Sequence, residues 1–210
     1  MAAKKRNYII GIDEVGRGPL AGCVTVAAVI IPKGLKLNYK DLKIPLRDSK
    51  KLTPKRRDLW FKYIQKHPEI FYAIKSISPA IIDKVNISKA ANLAATRAIT
   101  KLLATSKLAA RNFKVFLDGG LYLNVKTLMA SGYSLKPKTI IKGDEKIPVI
   151  SLASIVAKVT RDRKMKKLHK KYPEYDFTNN KGYGTKKHIK AIKKYGLSPV
   201  HRKSFRILWY

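Results

Sequence analysis

Apolar residues occur along the chain in short runs of strand length and in longer stretches with helical spacing. Tyr8-Ile-Ile-Gly-Ile-Asp13 is a strand-like run that ends before a glycine-rich segment, and the next run, Val24 to Ile31, is stopped by Pro32. The pattern predicts five strands, at residues 8–13, 24–31, 71–77, 114–118 and 139–142.

Helices are predicted between and after these strands. Thr53 followed by Pro54 is a helix start signal, because the hydroxyl can cap the first turn and proline lacks only an N–H that has no partner there. Gly196 is a stop signal for the last helix, which carries a cationic face. The helices are expected at about residues 54–67, 88–103, 149–167 and 186–195.

Strands that alternate with helices indicate an α/β fold. The short connection between the first two strands favours an antiparallel hairpin within a mixed sheet. With 210 residues, of which 45% are hydrophobic, the chain can bury one sizeable core. From about residue 172 the sequence becomes basic and broken. We therefore expect one domain over residues 1–210, a mixed five-stranded sheet flanked by helices, with a basic helical C-terminal extension at about 172–210.

The net charge points to the class of partner. Lys and Arg number 46 against 13 Asp and Glu, which gives a formal charge of +33. A surface this dense in cations gains free energy from counterion release when it meets a phosphate backbone, so nucleic acid is the expected partner. A lysine-rich composition without a specific partner is the alternative, because net charge alone concerns non-specific binding and solubility.

The single cysteine and the lack of long apolar runs bear on the compartment. Cys23 alone excludes an intramolecular disulfide and a cysteine metal cluster, and we expect it to be a buried core thiol. The N-terminus has no signal-peptide apolar stretch, and no run approaches the roughly 18 apolar residues of a membrane helix. A cytoplasmic monomer without membrane association is therefore expected.

Acidic residues are few, and three of them are predicted at or just beyond strand ends. Asp13 closes the first strand, Asp118 closes the fourth, Asp144 follows the fifth, and Glu14 adds a fourth carboxylate. Such oxygen ligands suit magnesium or manganese, and two ions can activate water and stabilise the leaving oxygen of a phosphodiester. Each acid alone is better interpreted as a turn residue, so only the combination indicates a site. Because adjacent strand residues point to opposite faces, Asp13 and Glu14 are expected to share a metal only if the backbone departs from the regular pleat near Gly16.

Several sequence blocks resemble the ribonuclease HII family. They occur in order over nearly the whole chain, which makes the signal more specific than any single short motif. The blocks are Gly11-Ile-Asp-Glu-Val-Gly-Arg-Gly-Pro-Leu-Ala-Gly22, Asp48-Ser-Lys-Lys-Leu-Thr53, Leu117-Asp-Gly119, Lys142-Gly-Asp144, Ser151-Leu-Ala-Ser-Ile-Val-Ala-Lys-Val-Thr-Arg-Asp162, Lys181-Gly-Tyr-Gly-Thr185 and His201-Arg-Lys-Ser-Phe205.

The resemblance implies a ribonuclease H-like fold and a metal-dependent endonuclease. Its substrates would be the RNA strand of RNA–DNA hybrids and the 5′ side of ribonucleotides embedded in duplex DNA, and its products a 3′-hydroxyl and a 5′-phosphate. Carried over residue by residue, the resemblance implies that Asp13, Glu14, Asp118 and Asp144 hold two Mg²⁺ or Mn²⁺ ions. It selects Asp144 over Asp162, which is expected to be structural and paired with a neighbouring Lys or Arg.

The same resemblance implies how a ribonucleotide is recognised. Main-chain groups of Gly16, Arg17 and Gly18 would contact the 2′-hydroxyl, which distinguishes RNA from DNA, and glycine lets the backbone approach a sugar closely. Tyr183 would stack on the sugar beside the RNA–DNA junction. Core packing is the alternative for Tyr183, but its two flanking glycines disfavour it.

Further contacts with the nucleic acid backbone are expected from basic segments. Ser49 and Lys50 resemble the family's phosphate-contacting segment before a helix. Lysines of the last predicted helix suit a duplex backbone, with a solvated charged face as an equal alternative. These are Lys186, Lys187, Lys190, Lys193 and Lys194. Of the histidines, His67, His169 and His188 are interpreted as surface residues without a role, and His201 as a structural or phosphate contact.

The chain departs from the family pattern in two places. Gly120 stands where an asparagine often follows Asp118-Gly119, which bears on the loop beside the metal site. The sequence ends five residues after Phe205, so a longer C-terminal helix is not expected and no sliding-clamp partner is inferred.

Two rival functions fit part of the sequence. A non-catalytic RNA-binding protein, such as a ribosomal protein, would match the size and charge but gains nothing from Asp13-Glu14 beside Gly16-Arg-Gly18. Ribonuclease HIII, the sister enzyme, typically has an added N-terminal domain and a Gly-Lys-Gly variant. Ribonuclease HII is therefore the preferred interpretation.

Overall fold

A mixed five-stranded sheet lies at the centre of the computed structural model, which describes residues 7–207 apart from 38–41, 47–48, 107, 109–111 and 130–131. The strands are β1 (Tyr8–Val15), β2 (Val24–Pro32), β3 (Phe71–Ile77), β4 (Asn112–Asp118) and β5 (Ser134–Ile140). Their order is β3-β2-β1-β4-β5. The first three strands are antiparallel neighbours, whereas β1–β4 and β4–β5 are parallel. The mixed sheet and its N-terminal hairpin agree with the prediction.

Eight α-helices are described around the sheet and beyond it. They are α1 (Pro54–Lys66), α2 (Pro79–Val85), α3 (Ile87–Thr105), α4 (Val125–Met129), α5 (Gly143–Lys146), α6 (Pro148–Lys171), α7 (Phe177–Asn180) and α8 (Lys186–Tyr195). None of those described is long and apolar enough to cross a bilayer.

The two faces of the sheet bury two separate apolar layers. Along β2, Val26 and Ala28 pack with the alanine-rich face of α3, whereas Ala27 and Val29 pack with α1 and α6. Successive strand residues point to opposite faces, so a strand covered on both sides is apolar without alternation. This explains why an unbroken apolar run is enough to identify β2 in the sequence.

Helix α6 passes unusually close to β1. A Cβ placed on Gly11 would lie 2.4 Å from the main-chain carbon of Val149, so only glycine permits this approach. The contact brings the start of α6, and the α5 turn before it, to the end of the sheet where Asp13 and Asp118 lie.

The C-terminal segment packs back onto the loop between β1 and β2. Ala21 is buried in a third apolar cluster with Met165 of α6, Phe177 of α7 and Ile192 of α8. Ala21 also forms an isolated antiparallel bridge with His201.

Several sequence predictions are inaccurate in detail. The fifth strand lies at Ser134–Ile140, whereas the sequence pattern predicts it at 139–142. The prediction is inaccurate because β5 is an exposed edge strand in which Leu135 is the only buried residue, so it carries little apolar signal. The short helix α2 is not among the predicted helices. Cys23 is partly exposed and not a core residue.

Candidate active site

Three carboxylates meet where β1 and β4 run side by side. The parallel register pairs Ile12 with Leu117, so Asp13 and Asp118 follow on neighbouring strands. Asp13, Glu14 and Asp118 each offer one carboxylate oxygen, and these oxygens all lie within 4.8 Å of one another. The expected grouping of these three acids is therefore present in the structure.

The backbone of β1 does not leave the sheet to bring Asp13 and Glu14 together. The ladder with β2 continues through Asp13, Glu14 and Val15. The expectation of a departure from the regular pleat is thus wrong, because the longer Glu14 side chain still reaches the cluster. The Glu14 amide also donates to Asp13 Oδ1 at 2.7 Å.

Burial and mutual repulsion raise the proton affinity of this cluster. Burial, followed by the charges of Glu14 and Asp118, raises the pKa of Asp13 well above its ordinary value. Burial also raises the pKa of Glu14 to about 7, with a further contribution from Asp118 and an opposing one from Arg17. Among the described residues, Glu14 Oε2 is buried and has no hydrogen-bond partner. A hard divalent cation would relieve both the repulsion and the unpartnered oxygen, so these residues fit a metal.

Asp144 lies beside this cluster without belonging to it. It is buried in the α5 turn, and the amide of the preceding Gly143 donates to Asp118 Oδ1 at 2.7 Å. Its carboxylate is outside the group joined by distances of 4.8 Å, and its Oδ2 lies 3.6 Å from Lys50 Nζ. The structure therefore brings Asp144 next to the three acids, with Lys50 as its cationic partner.

Two serines support the Asp13 carboxylate. Ser49 is a predicted site residue, whereas Ser154 of α6 is not singled out by the sequence patterns. Ser49 is buried, and its hydroxyl lies 2.8 Å from Ser154 Oγ. Ser154 in turn hydrogen-bonds the Asp13 carboxylate. The hydroxyl of Ser49 thus contacts Ser154, the residue that binds the Asp13 carboxylate, while the Lys50 side chain is 80% exposed. The one sequence signal for Ser154 is its position within the matching block Ser151–Asp162.

The segment of residues 16–23 connects β1 to β2 and is here called the recognition loop, after the role that the resemblance implies for it. Gly16 has φ +90°, and a Cβ there would lie 2.2 Å from Arg161 Nε, so glycine is required. Gly18 belongs to the same loop, and a Cβ on it would lie 3.7 Å from the Tyr183 ring. Tyr183 is 47% exposed, which contradicts core packing.

The Arg17 side chain links the recognition loop to the carboxylate cluster. It lies 3.4 Å from Glu14 Oε1 and donates to the Gly120 carbonyl at 3.3 Å and to Ser88 Oγ at 3.1 Å. Gly120 has φ +87°, so this departure from the family pattern suits a left-handed turn. The sequence resemblance concerns only the main chain of Arg17, and the role of its side chain emerges from the fold.

Two histidines near Tyr183 are buried, so the prediction that His188 is a surface residue is wrong. His188 Nε2 lies 3.0 Å from His201 Nε2, and His188 Nδ1 lies 2.8 Å from the Tyr183 carbonyl. The lysines next to His188 in the sequence suggest that it is exposed, but the His188 ring faces the interior of the C-terminal segment. His201 is accordingly a structural contact.

Asp162 forms the ion pairs with neighbouring basic residues that the sequence predicts. Its carboxylate pairs with Lys158 Nζ at 2.9 Å and with Arg57 Nη2 at 3.7 Å, on the side of α6 that faces α1. Among the acidic residues outside the cluster, Asp176 holds Lys187 of α8 at 3.0 Å. Lys190 and Lys193 of the same helix are exposed.

Comparison with known proteins places this geometry in a family. The model of the family "Ribonuclease HII" matches residues 10–209. The curated ribonuclease HII of Endomicrobium trichonymphae is 43% identical over 197 residues, covering 94% of this chain and 84% of that protein. The protein of the same name from Hydrogenovibrio crunogenus is 44% identical over 200 residues, covering 95% and 86%. The crystal structure of ribonuclease H2 from Pyrococcus horikoshii aligns with a TM-score of 0.72 at 28% identity, covering 95% of this chain and 94% of that one.

Proposed function

The chain belongs to the ribonuclease HII family, and on that premise we propose that it cuts at the 5′ side of ribonucleotides, both in RNA–DNA hybrids and at single ribonucleotides embedded in duplex DNA. Family membership itself makes the chain a metal-dependent endoribonuclease that cleaves RNA paired with DNA. The observation that carries the finer proposal is the carboxylate cluster directly beside the glycine-rich recognition loop.

The metal site proposed is built from Asp13, Glu14 and Asp118, with Asp144 of the α5 turn as the fourth ligand. These residues would hold two Mg²⁺ or Mn²⁺ ions, which would supply the activation of water and the neutralisation of charge on the scissile phosphate for a cut that leaves a 3′-hydroxyl and a 5′-phosphate. Ser154 orients the Asp13 carboxylate, and the Gly143 amide orients that of Asp118. These fixed bonds keep the ligand oxygens in place before a substrate arrives.

Recognition is assigned to the surface formed by Gly16, Arg17, Gly18 and Tyr183. Main-chain groups of the first three would bind the 2′-hydroxyl, and the Tyr183 ring would stack on the sugar at the junction. The closeness of Gly18 to the Tyr183 ring supports a single pocket for one nucleotide. The Arg17 side chain, bound to Glu14, would couple occupation of this pocket to the metal ligands.

The backbone of the duplex is assigned to the basic residues around this pocket. Lys50, exposed beside Asp144, would face a phosphate, whereas buried Ser49 would act through Ser154. The C-terminal extension at about 172–210 would bind the duplex through exposed lysines of α8. A monomeric state and a cytoplasmic location complete the proposal.

The decisive experiment uses a duplex with one embedded ribonucleotide. Incubated with Mg²⁺ or Mn²⁺, the protein should cut once, on the 5′ side of the ribonucleotide, and the ends are identified by phosphatase treatment and ligation. Asp118→Asn should abolish cleavage, because it removes a ligand from the cluster, and should leave duplex binding intact or tighter, because it removes a negative charge that faces phosphate. Asp58→Asn is the matched control, since it deletes a half-exposed acid paired only with Arg163 among the described residues.

An intact duplex under every metal condition, together with tight binding of all-RNA duplex, would support the non-catalytic RNA-binding alternative and contradict the proposal.

A further inference from the structure

Two arginines are buried beneath the recognition loop. Arg161 of α6 and Arg202 of the C-terminal segment have 0% and 1% exposure. Neither takes part in a salt bridge within the described part of the chain, and both use their guanidinium groups on main-chain carbonyls. A buried cation without a carboxylate is costly unless its donors are satisfied, so the carbonyls are arranged around the two groups.

Arg202 binds two consecutive peptide groups of the recognition loop. Its Nη2 donates to the Gly16 carbonyl at 2.6 Å, its Nη1 to the Arg17 carbonyl at 2.8 Å, and its Nε to the Gly22 carbonyl at 3.0 Å. Described peptide bonds are all trans. In a trans peptide the C=O and the following N–H point in opposite directions. The N–H groups of Arg17 and Gly18 therefore point away from the guanidinium, towards the outer side of the loop.

The charge of Arg202 acts on the same two peptide groups. A cation that binds a carbonyl oxygen polarises the amide, and in a buried setting this polarisation is weakly screened. The N–H on the far side of each peptide becomes a stronger hydrogen-bond donor. A substrate hydroxyl or phosphate oxygen is the kind of acceptor that such donors bind.

We propose that Arg202 is a positioning residue for ribonucleotide recognition, which sets and polarises the outward N–H groups of Arg17 and Gly18. This inference rests on the proposed function, because it assigns those two donors to the 2′-hydroxyl pocket. Arg202 touches no substrate itself. It determines how strongly the protein prefers a ribonucleotide over a deoxyribonucleotide, while the lysines determine overall affinity for duplex.

Arg161 supports the arrangement from the other side. It donates to the Ala21, Cys23 and Lys181 carbonyls at 3.0 to 3.2 Å, and its Nε fills the space that a side chain on Gly16 would need. Lys181 lies two residues before Tyr183. Arg161 thus ties the recognition loop to the segment that carries the stacking ring.

Arg202→Lys tests the proposal, because lysine keeps the charge but has no fork to hold two carbonyls. Two constants are measured with Mg²⁺ present: the KM for a duplex with one ribonucleotide, and the inhibition constant of the same duplex made entirely of DNA. We expect KM to rise about tenfold, which corresponds to about 1.4 kcal/mol, while the inhibition constant stays unchanged. Arg57→Lys is the matched control, because Arg57 is another buried guanidinium on two carbonyls, those of Ser49 and Leu52. Its ratio of KM to inhibition constant should equal that of the unaltered protein.

A second pair of variants does not depend on the folding of Arg202→Lys. Gly18→Pro removes one of the two N–H donors, and Gly18→Ala keeps it with an ordinary contact to Tyr183. Gly18→Pro should lose more of the preference for the ribonucleotide duplex than Gly18→Ala, because both variants add a side chain to the pocket but only proline removes the donor. The proposal is overturned if folded Arg202→Lys keeps the ratio of the unaltered protein, or if Gly18→Pro does. If the unaltered protein itself shows no preference, the proposed function fails and this inference with it.

Discussion

Among the single residues of the site, Glu14 has a carboxyl group whose pKa is raised to about 7, first by burial and further by the charge of Asp118, against the opposing effect of Arg17. A carboxyl group with a folded-state pKa above its unfolded value of about 4.5 favours the folded state only while it is protonated. Its contribution to stability is therefore present below about pH 4.5 and is lost as the pH rises to about 7. Glu14, a proposed metal ligand, thus destabilises the metal-free protein at neutral pH.

Glu14→Gln should stabilise the metal-free protein while removing cleavage. Gln removes the buried charge, so the gain at pH 7.5 should be on the order of 2 kcal/mol, or about 5 °C in Tm. The measurement is thermal unfolding in a chelator at pH 5 and pH 7.5, and the gain should shrink at pH 5, where Glu14 is protonated. Glu145→Gln is the control, because Glu145 is more exposed and pairs with Lys51. An equal Tm for Glu14→Gln and the unaltered protein at pH 7.5 would refute the electrostatic account.

Single substitutions can also test whether Asp144 or Asp162 is the fourth metal ligand. Asp162 is bound by Lys158 and Arg57, whereas Asp144 adjoins the cluster through Gly143. Asp144→Asn should lower the cleavage rate at least about 100-fold, in the range expected for removal of a charge-stabilising group, and Asp162→Asn should retain most activity. Rates are compared at saturating metal, with Tm measured alongside. If the Asp162→Asn variant is inactive and the Asp144→Asn variant is active, the fourth metal ligand is Asp162 and not Asp144.

At the scale of elements, a chain of hydrogen bonds joins α8 to the C-terminal segment. The Ser198 amide donates to His201 Nδ1 at 3.0 Å, which leaves the proton of neutral His201 on Nε2. That proton is donated to His188 Nε2, so the His188 proton lies on Nδ1 and is donated to the Tyr183 carbonyl. One backbone amide thus fixes both tautomers and the position of the segment that holds Tyr183.

Acid should break this chain. Burial and the neighbouring His188 lower the pKa of His201 to about 4, and burial lowers that of His188. Since the unfolded state takes up protons from about pH 6.5, the contribution of His201 to stability should fall between pH 6.5 and pH 4, by about 1 kcal/mol per pH unit, and His188 should act in the same direction. Replacing His201 with Asn isolates its share, because the slope of Tm against pH in this window should flatten. An unchanged slope in the His201 variant would contradict the prediction.

For the whole molecule, the dominant feature is a charge of +33 with carboxylates gathered at one end of the sheet. Such a surface attracts any polyanion, so general affinity and ribonucleotide preference must come from different residues. In the proposed function, exposed lysines such as Lys190 would supply the general affinity, and the recognition loop and Tyr183 would supply the local preference.

A salt series separates these two contributions. Lys190→Ala should weaken binding to every duplex and lower the slope of log affinity against log salt by about 0.9 for each phosphate that the side chain no longer neutralises. Tyr183→Ala should leave the slope unchanged, because its interaction with the sugar is uncharged, and should reduce cleavage at a single ribonucleotide more than within a long RNA stretch. Both variants are measured on both substrates. Equal reductions in cleavage of the two substrates would mean that a residue other than Tyr183 contacts the RNA–DNA junction.

Much of the fold is encoded locally and is therefore predictable. The bounds of β3 and α8 agree residue for residue with the prediction, since their periodicity and the capping residues Thr185 and Gly196 lie within or beside the segments themselves. The edge strand β5 is misplaced in the prediction because an exposed strand carries little apolar signal. The acids of the cluster, the glycines of the recognition loop and the family resemblance are likewise legible in the sequence.

Tertiary structure alone decides how these residues act on one another. Arg202 reaches the Gly16 carbonyl across 186 positions of sequence, and His188 is buried against His201 although its neighbours are lysines. Glu14 shares the cluster with Asp13 without any break in the strand. A local pattern determines which face of an element is apolar. The burial of a charged or polar side chain depends instead on partners brought together only when the sheet, α6 and the C-terminal segment pack, because desolvation is tolerated only where distant donors and acceptors meet.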